Sequence, residues 1–364
     1  MNGQRKHNFN PGPAALPLEV LEEAQEAFVE YGGLGMSMME VSHRSKVYEQ
    51  VHEQTQTLLL ELLGLPRSYR VLFMGGGASA QFALVPMNLL AEGRSGVYLL
   101  SGSFAEKAYQ EALTVGDAVV ASSTKAQGWR ALPQTEGLRI PENAAYVHIT
   151  TNNTIEGSQF RSFPELGGEV PLIGDMTSDL LGREIDLTRF GLIYAGAQKN
   201  LGPAGVTAVI LREDLLDQAS GRIPAIFRYA TFAESGSLYN TPPVHSVYMV
   251  HLVLKWVQHQ GGVAAMERRN VRKAQRIYEA IDASGGFYQG IIEKEDRSIM
   301  NMTWRLTSEE LTRRFIEESE HHGFDGLAGH RSVGGLRASA YNAVTEDSCR
   351  ALADFMTDFQ KRYG

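Results

Sequence analysis

Apolar residues recur along this chain in short runs rich in β-branched and aromatic side chains. Between them lie longer stretches where apolar positions return every third or fourth residue. The runs are RVLFM (70–74), GVYLL (96–100), DAVVAS (117–122), AAYVHIT (144–150), VPLIGD (170–175), GLIYAG (191–196) and VTAVIL (206–211). Short continuous apolar runs suit strands covered on both faces, and their alternation with helical spacing predicts an α/β fold with a mostly parallel, seven-stranded sheet. The last two runs are joined by too short a loop for a parallel crossover, which predicts one antiparallel pairing inside the sheet, beside Lys199.

Downstream the texture changes. PPVHSVYMVHLVLKWVQHQGG and VAAMERRNVRKAQRIYEAIDAS both show helical spacing, broken by Gly261 and Gly262. SIMNMTWRL (298–306), TSEELTRRFIEESEHHG, VGGLRASAY and a terminal helix from about Glu346 then predict a smaller α/β unit. The expected division is a large domain over 16–258 and a small domain built from 1–15 and 259–364. No internal repeat or low-complexity segment interrupts it.

Composition narrows the function. With 43% hydrophobic content over 364 residues, the chain can bury one large core and a smaller second one. A net charge of −8 argues against nucleic acid or an anionic membrane surface as a general partner, so an anionic ligand needs local arginines. The only cysteine, Cys349, allows no internal disulfide, and no stretch reaches the roughly 20 apolar residues of a membrane span. The start, MNGQRKHNFNPGPAALP, lacks the apolar core of a secretory signal. A cytoplasmic protein is expected.

In open α/β sheets ligands gather at the carboxyl ends of the strands. There LFMGGGASAQF brings Gly75, Gly76 and Gly77 to the start of a helical pattern, where free N–H groups favour an oxyanion; the alternative is a sterically tight turn. It matches neither the P-loop nor the dinucleotide fingerprint. Asp175 ends VPLIGD, either as a cap or as an ion-pair partner for a protonated heterocyclic nitrogen. Lys199 follows in GAQKNLGPAG, either snorkelling outward or desolvated toward the neutral amine that attacks carbonyls. Thr154, in AYVHITTNNTIEG, could donate beside them. In chain order a phosphate cradle, an acid and a lysine are the contacts that pyridoxal phosphate needs for its phosphate, ring nitrogen and aldehyde. His43 and Arg44, His330 and Arg331, and Arg337 form a separate basic group suited to a substrate with more than one anionic group.

From NFNPGPAALP through AGAQKNLGPAGV and YNTPP to GHRSVGGLRASAYNAV, the sequence resembles the phosphoserine aminotransferase family, in the class V, fold-type I group of pyridoxal-phosphate enzymes. The resemblance runs nearly end to end. It implies that Lys199 forms the Schiff base with the cofactor, that Asp175 keeps its ring nitrogen protonated and that Thr154 bonds its ring oxygen. Gln198 and the N–H groups of Gly77 and Ala78 would hold its phosphate. Asn240 and Thr241 would reach that phosphate from the neighbouring subunit of a homodimer. Arg337 would take the substrate α-carboxylate. His43, Arg44, His330 and Arg331 would take the distal anionic group, the first pair again in trans. Phe104 stands where many members place a tryptophan over the ring, and FNPGPA lacks serines found near the start of some members. The implied reaction is reversible amino transfer from glutamate to 3-phosphohydroxypyruvate, giving O-phospho-L-serine and 2-oxoglutarate in serine biosynthesis. A phosphorylated hydroxythreonine is a second implied substrate. The alternatives are a class V aminotransferase with another amino donor, a cysteine desulfurase using Cys349, and a cofactor-binding scaffold without turnover.

Overall fold

The computed structural model describes residues 5–167, 170–218 and 223–364. Its main sheet has seven strands: β1 (Tyr69–Met74), β2 (Ser95–Leu100), β3 (Ala118–Ser123), β4 (Ala144–Thr150), β5 (Leu172–Asp175), β6 (Phe190–Gly196) and β7 (Thr207–Arg212). Their spatial order is β1-β7-β6-β5-β4-β2-β3. Each predicted run became one of these strands, with ends shifted by a residue or two. All neighbours are parallel except β7, which is antiparallel to both β6 and β1. The short return through Lys199 therefore produced the expected antiparallel pair and a second one, because a reversed strand inserted between parallel ones meets both neighbours in that sense.

Strands β2, β4, β5 and β6 are buried along their whole length, which explains their unbroken apolar character. One face is covered by α1 (Leu18–Val29), α2 (Lys46–Leu62) and α5 (Val244–His259), which share a core with Val71, Phe73, Val97 and Ile193. The other is covered by α3 (Gly77–Leu89) and α4 (Ser103–Val115), packed on Leu72, Tyr98, Tyr146 and Tyr194.

The 21-residue helix α6 (Gly262–Asp282) leads from this body to a three-stranded antiparallel sheet of β8 (Tyr288–Gly290), β9 (Asn301–Leu306) and β10 (Leu336–Ser339), in that order. Helices α7 (Glu309–His321) and α8 (Glu346–Tyr363) cover it. Ser308 and Thr345 accept a hydrogen bond from the first turn of α7 and α8, and acidic residues follow each cap. This second core runs from Ala274 to Phe359 and also takes in Phe9. His7–Asn8 pairs in parallel with Phe324–Asp325, so the chain start belongs with the C-terminal core before it crosses to the large sheet at Ala14, whose N–H donates to Gln198 O (2.9 Å). No helix among the described residues is long and apolar enough to cross a membrane.

Candidate active site

The carboxyl ends of β4, β5 and β6 open onto a cavity of about 240 Å³ between the two cores. Its walls include Gly77, Ala78, Phe104, Thr154, Asp175, Gln198, Lys199, His330 and Arg337, nine of the residues singled out from the sequence.

Each arrives by a local cause. Gly76 (φ 90°) and Gly77 (φ 65°) both occupy the left-handed region as β1 turns into α3. A Cβ on Gly76 would lie 2.5 Å from Ala80 Cβ, so this turn needs glycine there for space as well as for φ. The first N–H groups of α3 have no carbonyl four residues back and lie at the positive end of a 13-residue helix lining the cavity, which is an anion seat. Asp175 is the last residue of β5, and its Oδ1 accepts from Thr177 N (3.0 Å). Lys199 sits in the turn between β6 and β7 and is 8% exposed; its Nζ donates to Thr154 Oγ1 (2.6 Å) and lies 5.7 Å from the Phe104 ring centroid. Arg337, the second residue of β10, is 5% exposed and donates from Nη1 to Thr154 O (3.0 Å), so the small sheet and the Thr154 loop are tied at the cavity wall.

Burial lowers the Lys199 amine to about 8, the nearby Asp175 charge opposing and the Arg337 charge adding to the effect. Burial also pushes the Asp175 carboxyl above the usual carboxylate range, against the bonds from Thr177 and the charge of Lys199. A buried carboxylate and a buried amine, each biased toward its neutral form, fit a ligand that brings a cationic ring nitrogen to one and an electrophilic carbon to the other. Thr150 Oγ1 and Arg337 Nε, on cavity-lining residues, have no hydrogen-bond partner among the described residues. The residues present thus suit a phosphorylated pyridine aldehyde: anion seat, acid, hydroxyl, amine and aromatic wall surround one space. No group of His, Cys, Asp and Glu among the described residues is arranged to hold a metal ion.

Other expected site residues lie elsewhere in this chain. His43 and Arg44 stand in the loop before α2, and Arg44 is exposed. Asn240 and Thr241 are exposed in the loop before α5, beside a second, apolar groove of about 720 Å³. That groove shares Gly75 and Gly76 with the approach to the anion seat. None of these four lines the Lys199 cavity, nor does Arg331, which is exposed next to His330. Burial and the charges of Arg337, Arg331 and Lys107 lower the His330 imidazole from its ordinary value, which marks a concentration of cations at the cavity mouth.

Several wall residues were not singled out from the sequence: Pro11, Gly12, Ser79, Asn152, Thr177 and Ser178. Thr177 was within reach of sequence reasoning, since an Asp followed two residues later by a free N–H is an Asx-turn pattern. Pro11 and Gly12 lie in the FNPGPA segment that the family resemblance had marked only for its missing serines; a Cβ on Gly12 would lie 3.4 Å from Lys199 Cγ. The thiol of Cys349 is fully buried in α8 and pushed up to about 12 by that burial, which removes the thiolate a desulfurase needs.

Residues 6–352 match the aminotransferase class-V family model. The chain belongs to the class-V aminotransferase family. It is 55% identical to the phosphoserine aminotransferase of Niallia circulans over 99% of both chains. Among solved structures, the phosphoserine aminotransferase of Bacillus circulans subsp. alkalophilus superposes with a TM-score of 0.98 at 55% identity, covering 100% of each chain. The pyridoxal-phosphate-bound phosphoserine aminotransferase of Trichomonas vaginalis superposes with a TM-score of 0.91 at 34% identity, over 97% of this chain and 99% of that one. The superpositions extend over both the mixed seven-stranded sheet and the small sheet beyond α6.

Proposed function

We propose that this class-V aminotransferase is a pyridoxal-phosphate-dependent phosphoserine aminotransferase, moving the amino group of L-glutamate reversibly to 3-phosphohydroxypyruvate. The observation that carries the reading is Lys199: a buried amine lowered to about 8, hydrogen-bonded to Thr154 and electrostatically coupled to Asp175, in a cavity headed by the N-terminus of α3. Near-full-length relatives at 47% to 55% identity that carry this name support the choice of substrates.

When bound, pyridoxal 5'-phosphate supplies an electrophilic aldehyde and a ring that withdraws electrons from the substrate Cα. The N–H groups of Gly77 and Ala78 with the Gln198 side chain would take its phosphate, Asp175 its ring nitrogen, Thr154 its ring oxygen and Phe104 one ring face. Lys199 Nζ would hold the aldehyde carbon. As a free amine, Lys199 Nζ would carry the proton between the substrate Cα and the cofactor carbon, in either direction, a role that needs an amine able to be neutral near pH 8. Arg337 orients the substrate α-carboxylate through the donors that Thr154 leaves free. His330 and Arg331 meet the distal anion, whether phosphate or γ-carboxylate, so both half-reactions use one pocket.

The reading includes a cytoplasmic homodimer. His43, Arg44, Asn240 and Thr241 lie off their own chain's cavity, and the last two border an exposed apolar groove, as expected of residues delivered to a partner's site. It also includes the division into 16–258 and 1–15 with 259–364; residues 1–4 lie outside the described residues. The second core, drawn from Phe9 and from Ala274 to Phe359, supports that division, although Met266 of α6 packs with the large core. The test is a coupled assay with L-glutamate and phosphohydroxypyruvate. Turnover by the intact enzyme is expected; its absence, with cofactor bound, would leave only a scaffold.

A further inference from the structure

One buried acid near the cavity has no part in this mechanism. Glu156 is 3% exposed, two residues beyond Thr154 in the tight loop that joins Asn152–Asn153 to Ser158–Gln159. Its Oε1 accepts from both the N–H and the hydroxyl of Ser103 (2.8 and 2.6 Å), the first residue of α4. The other oxygen, Oε2, is buried without a hydrogen-bond partner among the described residues. It packs so closely on Gly102 that a Cβ there would lie 2.6 Å from it. The Glu156 carbonyl in turn accepts from Thr303 Oγ1 (2.7 Å) on β9, and Asn153 Oδ1 accepts from Ser101 Oγ (3.1 Å). The carboxylate is therefore fixed between the start of α4, which presents Phe104, and the loop that presents Thr154.

Across that loop is Arg337. It is 5% exposed, makes no ion pair within 4 Å among the described residues and keeps a buried Nε without a partner. Burial lowers the Arg337 guanidinium, opposed by Tyr341 and by the Glu156 charge; burial raises the Glu156 carboxyl, opposed by the bonds from Ser103 and then by the Arg337 charge. A buried guanidinium without counter-charge is costly, whereas one paired directly with a protein carboxylate has its donors occupied. An acid held at a distance by Ser103 avoids both outcomes.

We infer that Glu156 is a positioning residue with two functions: it ties the Phe104 helix to the Thr154 loop, and it supplies the remote counter-charge that keeps Arg337 buried with donors free for a substrate carboxylate. This rests on the functional reading above. The two functions separate by substitution. Gln at 156 can still accept from Ser103 but carries no charge. Asp restores the charge but is one methylene short of Ser103.

The experiment measures steady-state kinetics and the cofactor absorbance of the holoenzyme for wild type, Glu156→Gln, Glu156→Asp and Glu156→Ala. In Glu156→Gln the KM for L-glutamate and for O-phospho-L-serine should fall in parallel by roughly three- to tenfold, since both present the same α-carboxylate to an arginine relieved of its opposing charge. The absorbance maximum should stay in place. In Glu156→Asp the KM values should return toward wild type while the absorbance maximum shifts with that of Glu156→Ala, because the tie to α4 is lost. Unchanged or raised KM values in Glu156→Gln would overturn the counter-charge. An unmoved spectrum in both Asp and Ala variants would overturn the tie. Failure of wild type to turn over strikes the functional reading instead. Competition by acetate, followed through the cofactor absorbance, still reports whether loss of the Glu156 charge tightens carboxylate binding.

Discussion

Two lysines are buried among the described residues, and burial lowers each to about 8. Lys199, between β6 and β7, makes one hydrogen bond, to Thr154, and faces a cavity. Lys273, on α6, is 1% exposed and donates to three carbonyls, Ala340 O (3.0 Å), Tyr341 O (2.7 Å) and Val344 O (3.0 Å), in the loop between β10 and α8. An ammonium has three N–H donors, so Lys273 is saturated and Lys199 is not. A shifted pKa alone does not separate a reactive amine from a structural one. The separation lies in the donors left over and the space in front of them. Around Lys273 the neighbours complete a clamp: Asn270 donates to Gly182 O and Asn342 Oδ1, and Asn342 N–H donates to Asn200 Oδ1, next to Lys199. The saturated lysine thus helps fix the loop against which the reactive one is set.

The sharpest test of that contrast removes each amine. Lys199→Ala should lose transamination by on the order of a thousandfold or more while keeping its fold and thermal stability, read by coupled assay and melting temperature. Lys273→Met should do the opposite, costing about 3 kcal/mol in chemical denaturation by leaving buried carbonyls unpaired, with activity largely retained below the melting range. Loss of activity in Lys273→Met equal to that in Lys199→Ala would erase the distinction. Asp175→Asn should fall between the two, with kcat down on the order of a hundredfold and the cofactor spectrum altered, as when one preorganised charge is removed from a dry site. The mildest effect is in pH. Because burial lowers Lys199 to about 8, its neutral fraction grows as pH rises through that value. The rate at which cofactor-free protein captures pyridoxal phosphate should therefore rise between pH 7 and 9 and level off above. A flat profile would mean that capture does not depend on the neutral amine of Lys199.

The two lysines also mark what could be read before folding. Lys199 was conspicuous because it breaks the apolar pattern at a place where strands must turn, beside Gln198 and a Gly-Pro pair. Lys273 was not, since VRKAQRIYEA presents it among charged neighbours on a helix, where lysine is ordinary. Glu156 passed unnoticed for the same reason: in NNTIEG an acid reads as loop polarity until Ser103 is brought to it from a different strand end. His43 and Arg44 were legible as anion-binding types, whereas Asn240 and Thr241 entered only through the family resemblance; all four lie off the cavity of their own chain.

The seven strands, the reversed one among them, and the glycine turn before α3 were legible before folding, as were an acid closing β5 and a lysine between β6 and β7. Each of these follows from local rules: periodicity, loop length, and which residues tolerate a left-handed turn or a close backbone approach. Long-range packing settled that Lys199 faces a cavity while Lys273 donates to three carbonyls, and that Glu156 meets Ser103. Those facts depend on contacts between residues far apart in the chain, where burial, charge and the count of satisfied donors are settled together.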